Sequence, residues 1–138
     1  MEQPFTMKIG SEITEIPKVS AQLDDAMSRS GFSSEDILDT QLAVEEVISN
    51  TINHGYRGPS GNIDISFRIT SSSTEIDIAD TAPPFDPLSL PEPDLSGDVS
   101  DRKIGGLGVF LVRQVMDDVR YRREGKKNIL TLVKKKNP

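Results

Sequence analysis

The sequence contains no cysteine, which excludes disulfide bonds, a thiolate nucleophile and a cysteine-ligated zinc site. It also has no apolar run approaching the roughly 20 residues that a membrane-spanning helix requires. The N-terminal segment MEQPFTMKIGSE lacks the basic and apolar parts of a signal peptide. These absences predict a cytoplasmic protein that is not inserted in a membrane.

The chain also lacks an excess of positive charge. Sixteen basic and 22 acidic residues give a formal net charge of −6. Affinity for a nucleic-acid backbone requires clustered Lys and Arg. Basic residues do gather between Arg120 and Lys136, where a solvated hairpin and tail is the simplest interpretation. The composition therefore argues against direct nucleic-acid binding, while a small anionic ligand or an acidic partner stays open.

The length and the hydrophobic pattern of the first half predict one domain, residues 1–138, that begins with a strand and two helices. The strand is PFTMKIG. Apolar residues from Ile16 to Met27 recur at helical spacing, and Gly31 ends that helix. The segment SSED offers a serine cap for a second helix over about 34 to 54, which Gly55 stops.

The second half predicts two hairpins separated by a loop and a third helix. NIDISFRIT and TEIDIAD alternate apolar and polar residues, as half-buried strands do. A proline-rich loop over 81–103 precedes a helix that opens after the glycines of GGLGVFLVRQVMD, and VRYRRE and NILTLVKK form the last hairpin. Two hairpins exclude a simple doubly wound parallel sheet. The order predicts an α+β fold, with helices on one face of a mixed, mainly antiparallel sheet.

One helix carries the first candidate site residues, within the segment LAVEEVISNTINHGY. Glu46 and Asn50 are four residues apart and therefore share a helix face. A carboxylate can accept a proton, and an amide oxygen can ligate Mg²⁺. Taken alone, the pair is better explained as a polar stripe on an exposed face. His54 alone fits a hydrogen-bonding residue at a helix end.

Two further segments could contact a nucleotide. Asp80 ends an alternating strand in IADTAPPFDP, where a buried aspartate could accept a hydrogen bond from an amine such as that of adenine. Gly105, Gly106 and Gly108 precede a helix, and glycines let a backbone approach a phosphate. Neither the Walker pattern nor G-x-G-x-x-G is present. Taken alone, Asp80 is better explained as a residue that caps a turn, and the three glycines as a flexible turn.

In combination and in this order, the three segments resemble those of the GHKL ATPases, the superfamily of gyrase, MutL and histidine kinases. More narrowly, the chain resembles the bacterial anti-sigma-factor serine/threonine kinases of partner-switching systems. LAVEEVISNTINHGY is similar to the N box of that family, DTAPPFDP to its first glycine box and GGLGVFLVRQVMDDVRY to its second. The resemblance covers about residues 38 to 135 and implies a single histidine-kinase-like ATPase domain, a two-layer α/β sandwich of the Bergerat type.

The resemblance implies that ATP and Mg²⁺ bind this domain. Asn50 would ligate the metal, Glu46 would be the base that deprotonates an attacking hydroxyl, and Asp80 would hold the adenine amino group. Residues 86–103 would form a lid. The other residues that the resemblance assigns to nucleotide binding are Ala82, Gly105, Gly106, Leu107 and Gly108.

The first glycine box departs from the family pattern Asp-x-Gly-x-Gly. Ala82 and Pro84 stand at its glycine positions. Proline cannot donate a backbone N–H, and alanine restricts positive φ. The departure predicts fewer nucleotide contacts from this loop.

The function implied by the resemblance is an ATP-dependent serine/threonine protein kinase that phosphorylates an anti-sigma-factor antagonist. It would also bind a sigma factor or a similar regulator and release it when the antagonist binds, and a homodimer is compatible with this cycle. The alternative is a non-catalytic module of the same fold that sequesters its partner in a nucleotide-dependent way. A histidine-kinase catalytic domain is less expected, because no segment for a dimerisation helix pair precedes the domain.

Overall fold

A computed structural model describes residues 3–56, 61–84, 86, 88 and 104–136. Within these ranges, no helix is long and apolar enough to cross a membrane. A 3₁₀ turn at Ile13–Glu15 and a π-helix at Thr51–Tyr56 accompany the main elements. The main elements, in chain order, are β1 (Gln3–Gly10), α1 (Ile16–Arg29), α2 (Ser34–Asn50), β2 (Asn62–Ile69), β3 (Ser73–Asp80), α3 (Ile104–Val115), β4 (Asp118–Glu124) and β5 (Lys127–Lys135).

The five strands form one sheet in the order β1-β2-β3-β5-β4. Every neighbouring pair in the described part of this sheet is antiparallel, so the parallel pairing allowed by a mixed sheet is not found there. The pairs β1–β2, β2–β3 and β4–β5 join strands that are consecutive in the chain. The pair β3–β5 is the exception, because the chain passes through α3 and β4 between these two strands.

One face of the sheet packs against the helices. Buried side chains alternate along β2 and β3, and the apolar ones form one cluster with Leu130 and Leu132 of β5 and with the buried residues of α1 and α2. The opposite face is mostly polar, and on it Glu75 lies within ion-pair distance of Arg68 and Arg120. The predicted α+β class, with helices on one face, is confirmed. The central cluster residues include Leu23, Met27, Val44, Ile48, Ile65, Phe67, Ile76, Ile78 and Leu132.

Local signals set three of the helix ends, and those at Gly31 and Ser33 are as the sequence predicts. Pro17 lies in the first turn of α1, where its missing N–H costs no helical hydrogen bond. Gly31 follows α1 with φ of 84°, a left-handed conformation that glycine adopts without strain. The Ser33 hydroxyl accepts a hydrogen bond from the Asp36 N–H at 3.1 Å and thereby caps α2.

The end of the second helix differs from the prediction. The α-helix ends at Asn50, and a π-helix carries the chain through Gly55 instead of stopping there. A Cβ atom on Gly55 would lie 3.2 Å from the Cβ of Ala82, so the glycine allows this segment to approach the loop after β3. Short π-helical segments are rare and often occur at functional sites.

The start of the third helix also differs. The sequence predicts a helix that opens after its glycines, but α3 begins at Ile104 and includes all three. A glycine costs about 1 kcal/mol relative to alanine in a helix, and tertiary packing can override that preference. The predicted lid, residues 86–103, lies outside the described residues except for Asp86 and Leu88.

A buried lysine holds the C-terminal end of α3. The Lys134 ammonium group donates to the Val115 carbonyl oxygen at 2.6 Å and to Asp39 Oδ2 at 3.1 Å. Its side chain is 10% exposed. A positive charge is favourable at a helix C-terminus, where backbone carbonyls lack partners. This contact ties α3 to β5 and to the first half of α2.

Two buried threonines give a matched test of the core. The Thr74 hydroxyl has no hydrogen-bond partner among the described groups, whereas the Thr40 hydroxyl donates to the Asp36 carbonyl oxygen at 2.8 Å. An unsatisfied buried polar group costs about 1–3 kcal/mol. We expect Thr74→Val to raise the free energy of unfolding in urea by about 1 kcal/mol and Thr40→Val to lower it by a similar amount. Equal destabilisation by the two substitutions would show that the Thr74 hydroxyl makes a hydrogen bond.

Candidate functional site

The start of α3 lies directly beside the polar end of α2. A Cβ atom on Gly108 would lie 2.5 Å from Glu46 Oε2 and 3.5 Å from Asn50 Nδ2. Because glycine has no Cβ, the backbone of α3 can approach both side chains at once. The N box and the second glycine box, 58 positions apart between Asn50 and Gly108, therefore meet in the structure.

The two neighbouring glutamates of α2 face different helices. The Ser20 hydroxyl of α1 donates to Glu45 Oε1 at 2.9 Å, while the Glu46 carboxylate faces Gly108 of α3. Consecutive residues of an α-helix point about 100° apart, so one can face α1 while the next faces α3. Only the Glu46 carboxylate, of the two, lies beside Asn50 and the start of α3.

Asp80 lies at the end of β3 on the helix-facing side of the sheet, opposite Asn128 of β5. One of its carboxylate oxygens, Oδ1, accepts hydrogen bonds from the Ala82 N–H at 3.0 Å and from Asn128 Nδ2 at 2.9 Å. Hydrogen bonds to an ionised group are stronger than those between neutral groups. The carboxylate is therefore held in one orientation by its own loop and by a neighbouring strand.

The loop after β3, which corresponds to the altered glycine box, is held from behind by β4 and β5. Asn128 Nδ2 donates to the carbonyl oxygens of Ala82 at 3.1 Å and Pro83 at 3.2 Å. Arg123 Nη1 also donates to the Ala82 carbonyl oxygen, at 3.2 Å. Ala82 is buried, and its N–H is bonded to Asp80. These contacts hold a loop that lacks the family's glycines.

Tyr56 joins the end of the π-helix to the same loop. Its hydroxyl accepts a hydrogen bond from the Thr81 N–H at 2.7 Å and donates to the Asn62 carbonyl oxygen at 2.7 Å. Next to it, Gly55 packs against Ala82. The segment that follows Asn50 is thus connected to the loop that follows Asp80, whereas His54 is exposed.

The structure brings the predicted site residues into two groups. Glu46, Asn50 and Gly108 form one group, and Asp80 with Ala82 forms the other. The π-helix links the two groups. The remaining predicted residues, Gly105, Gly106 and Leu107, lie in the first turn of α3, where backbone N–H groups have no partner within the helix.

Sequence reasoning missed Asn128, Tyr56 and Arg123. One signal was available, because Asn128 stands at an inward-facing position of β5, in alternation with the apolar Leu130 and Leu132. A polar residue at such a position needs a hydrogen-bond partner. Its partner could not be read from the sequence, since β3 and β5 are not consecutive strands.

Comparisons with known proteins agree with the fold. Residues 9–134 match the family of the histidine kinase-like ATPase domain. The crystal structure of the RsbU and RsbW domains of Rv1364c from Mycobacterium tuberculosis superposes on 99% of this chain with a TM-score of 0.68 and 18% identity. The present chain spans 33% of that chain, and the likeness concerns the fold.

Closer sequence relatives carry the name Serine-protein kinase RsbW. The protein of Listeria monocytogenes serovar 1/2a is 31% identical over 137 residues, 95% of this chain and 87% of its own length. That of Oceanobacillus iheyensis is 34% identical over 128 residues, 86% and 78% of the two lengths. The chain therefore belongs to the histidine kinase-like ATPase family, within its group of RsbW serine-protein kinases. The family predicted from the three motifs is confirmed.

The contact at Gly108 generates a prediction that separates stability from nucleotide binding. Gly108→Ala places a methyl group on the Glu46 carboxylate, which must rotate away and disturb Asn50. Alanine also favours the helix by about 1 kcal/mol relative to glycine, which offsets part of the cost of displacing Glu46. The melting temperature should therefore fall by less than about 3 °C. We expect the dissociation constant of ATP in Mg²⁺ to rise about tenfold in calorimetric titration, the equivalent of about 1.4 kcal/mol.

Gly10→Ala is the control for this substitution, because no atom lies within 4 Å of the added Cβ. It should leave ATP binding unchanged. Unchanged binding in Gly108→Ala as well would show that the approach of α3 to Glu46 does not shape the nucleotide site.

Proposed function

We propose that this protein is an ATP- and Mg²⁺-dependent serine/threonine protein kinase of a partner-switching system. Its substrate would be a small anti-sigma-factor antagonist. The observation that carries the proposal is the contact of Gly108 with Glu46 and Asn50, which joins a carboxylate, an amide and a helix N-terminus at one place. The names of the relatives, Serine-protein kinase RsbW, support the same activity.

The two groups of site residues suit the two ends of ATP. Asp80 presents a carboxylate, an acceptor for the amino group of adenine. The first turn of α3 presents backbone N–H groups among three glycines, an arrangement that favours phosphate. We assign the adenine ring to the end of the site at Asp80, and the phosphates to the end formed by α2 and α3.

The residues present fit a magnesium ion that is held mainly by the nucleotide. Asn50 supplies an amide oxygen, a hard ligand of the kind that Mg²⁺ accepts. Among the described residues, no cluster of three or more His, Asp or Glu side chains could hold a metal ion alone. Mg²⁺ commonly takes one or two protein ligands and completes its shell with phosphate oxygens and water. When bound, it would neutralise charge on the phosphates.

Glu46 is the proposed general base. The hydroxyl oxygen of a substrate Ser or Thr attacks the γ-phosphorus of ATP, the bond from that phosphorus to the bridging oxygen breaks, and ADP leaves. The hydroxyl proton passes to the Glu46 carboxylate and then to solvent. Glu45 is unsuited to this role, because its carboxylate is bonded to Ser20 on the far side of α2.

The partners follow from the partner-switching assignment and are part of the proposal. The protein would hold a sigma factor or a similar regulator and release it when the unphosphorylated antagonist binds. Phosphorylation of the antagonist would then restore the hold on the regulator. A homodimer would be compatible with this cycle, and nucleic acid would not be bound directly by an acidic chain of this kind.

A second candidate function is a non-catalytic module that sequesters its partner when nucleotide is bound. The altered glycine box favours it, because Pro84 has no N–H and the Ala82 N–H is already bonded to Asp80. Neither residue can therefore donate a backbone N–H to the nucleotide. This module would bind ATP and partner without transferring phosphate.

Substitution of the two glutamates separates these candidates. Glu46→Gln keeps the side-chain shape but cannot accept the proton, and base catalysis typically contributes about 10²–10⁴-fold in rate. We expect transfer of label from γ-labelled ATP to the antagonist to fall by about that factor, while ATP binding persists. Glu45→Gln, the matched control on the α1 side of the same helix, should transfer label almost as the wild type does.

Two results would contradict this assignment. If only Glu45→Gln lost phosphate transfer, the general base would be Glu45, and the face of α2 assigned to catalysis would be wrong. Wild-type protein that binds ATP and antagonist but transfers no label would support the sequestering module instead.

Thermal unfolding tests the metal ligand. A ligand that binds only the native state at 100 times its dissociation constant adds about 2.7 kcal/mol of stability. We expect ATP with Mg²⁺ to raise the melting temperature by several degrees, and Asn50→Ala to abolish most of the Mg²⁺-dependent part. Asn53→Ala, which changes an exposed side chain three residues away, is the control and should keep the full shift. No shift at millimolar nucleotide would contradict the ATP site.

A further inference from the structure

We propose that Lys134 is a positioning residue for phosphate transfer. It fixes the register of α3 against α2 and thereby keeps the first turn of α3 beside Glu46 and Asn50. The inference rests on the proposed kinase site. It gives a role to a lysine of β5 that lies outside the three sequence motifs and makes its contacts at the opposite end of α3 from that site.

Two contacts join α3 to α2. At one, Gly108 lies against the Glu46 carboxylate. At the other, the Lys134 ammonium group donates to the Val115 carbonyl oxygen of α3 at 2.6 Å and to Asp39 Oδ2 of α2 at 3.1 Å. Asp39 and Glu46 are seven residues apart in α2, and Gly108 and Val115 are seven apart in α3. Seven residues of an α-helix span about 10.5 Å, so the two contacts have the same spacing on both helices.

The lysine contact is the directional part of this packing. Val112 and Met116, which directly follows the helix, hold α3 against the core through buried apolar side chains. Hydrophobic burial is non-directional, so these contacts tolerate a slide of α3 by a fraction of a turn. The Lys134 ammonium group is bonded to both helices at once, and such a slide breaks one of its two bonds. The lysine therefore fixes where along α2 the third helix lies.

This register sets the geometry of the proposed reaction. The base, Glu46, belongs to α2, whereas the phosphate-binding turn around Gly108 belongs to α3. A slide of one helix along the other therefore changes the distance between the base and the transferred phosphate. Phosphoryl transfer depends mainly on positioning, and a misplacement of about 1 Å can cost about 10²-fold in rate. Lys134 consequently acts on the rate of transfer without contacting the substrate.

Lys136 offers a matched control two positions along the chain. Its ammonium group donates to the Ser30 carbonyl oxygen at 2.7 Å and lies 5.0 Å from the centre of the Phe32 ring. Each lysine thus binds a carbonyl at the C-terminal end of a helix, Lys134 at α3 and Lys136 at α1, which differs from the solvated tail that the sequence favours. Because α1 reaches α2 through Glu45, loss of the Lys136 contact should not reach the site.

Spin labels test the register without nucleotide. The chain has no cysteine, so Asn53→Cys and Leu111→Cys can carry the only two labels. Both positions are exposed, and they lie on opposite sides of the Gly108 contact along the helix axes. We expect one narrow distance distribution in the labelled protein and in its Lys136→Met form. In Lys134→Met the distribution should broaden or shift by about 1.5 Å, the rise of one helical residue.

The rate of phosphate transfer is the functional measurement. At saturating ATP, Mg²⁺ and antagonist, we expect Lys134→Met to transfer label about tenfold to hundredfold more slowly than wild type. Lys136→Met should stay within about twofold of the wild-type rate even where its melting temperature is lower. Similar losses of rate in the two variants would show that Lys134 acts only through stability and would overturn the proposal.

A paired substitution keeps the proposal testable if Lys134→Met does not fold. Removal of one partner of a buried ion pair leaves an uncompensated charge, whereas replacement of both partners by apolar residues is often neutral. Asp39→Leu combined with Lys134→Met should therefore melt near the wild-type temperature. It should still transfer label at least about tenfold more slowly, because the Val115 carbonyl is no longer held. A wild-type rate and label distance in this double variant would overturn the role of Lys134.

The two measurements separate this proposal from the proposed function. Wild-type protein that transfers no label would contradict the kinase assignment. A label distance that changes in Lys134→Met but not in Lys136→Met would even then support the register set by Lys134. An unchanged distance in folded Lys134→Met would overturn the proposal, whether or not the protein is a kinase.

Discussion

The close approach of α3 to α2 is the constraint on which the candidate site depends. Gly108 allows the two backbones to meet beside Glu46, and at the other end of α3 the Lys134 ammonium group binds Asp39 and the Val115 carbonyl. The two helices consequently run antiparallel, and the first turn of α3 lies beside the polar end of α2. Glu46, Asn50 and the first turn of α3, the proposed base, metal ligand and phosphate-binding segment, come together because both ends of α3 are held.

The sheet supplies the other half of the site through one cross-strand pair. Asp80 and Asn128 occupy the helix-facing side at the end of β3 and β5, a side that is mainly apolar. Buried polar groups are costly unless they are hydrogen-bonded, and this pair satisfies its groups with the following loop and with Tyr121. A loop without the family's glycines is thus held by side chains from the two neighbouring strands β4 and β5.

Local signals account for most of the correct element predictions. Alternation defined the strands, and Ser33, Pro17 and Gly31 set helix ends through contacts within a few residues. The two errors share one cause. Gly55 and Gly108 were interpreted as breaks in regular structure, whereas each is a place where two segments approach so closely that a Cβ atom would displace its neighbour. The sequence shows that a glycine is present but not which neighbour requires it.

The sequence by itself determined the elements, the family and the face of α2 that carries Glu46 and Asn50, because helical geometry alone places residues four apart on one side. It could not determine which helix that face meets, nor that Asp80 would meet Asn128. The pairing of β3 with β5 joins residues 48 positions apart, across a loop, a helix and a strand. Only the packing of the whole sheet against its helices selects that pairing, since no local interaction along the chain favours it.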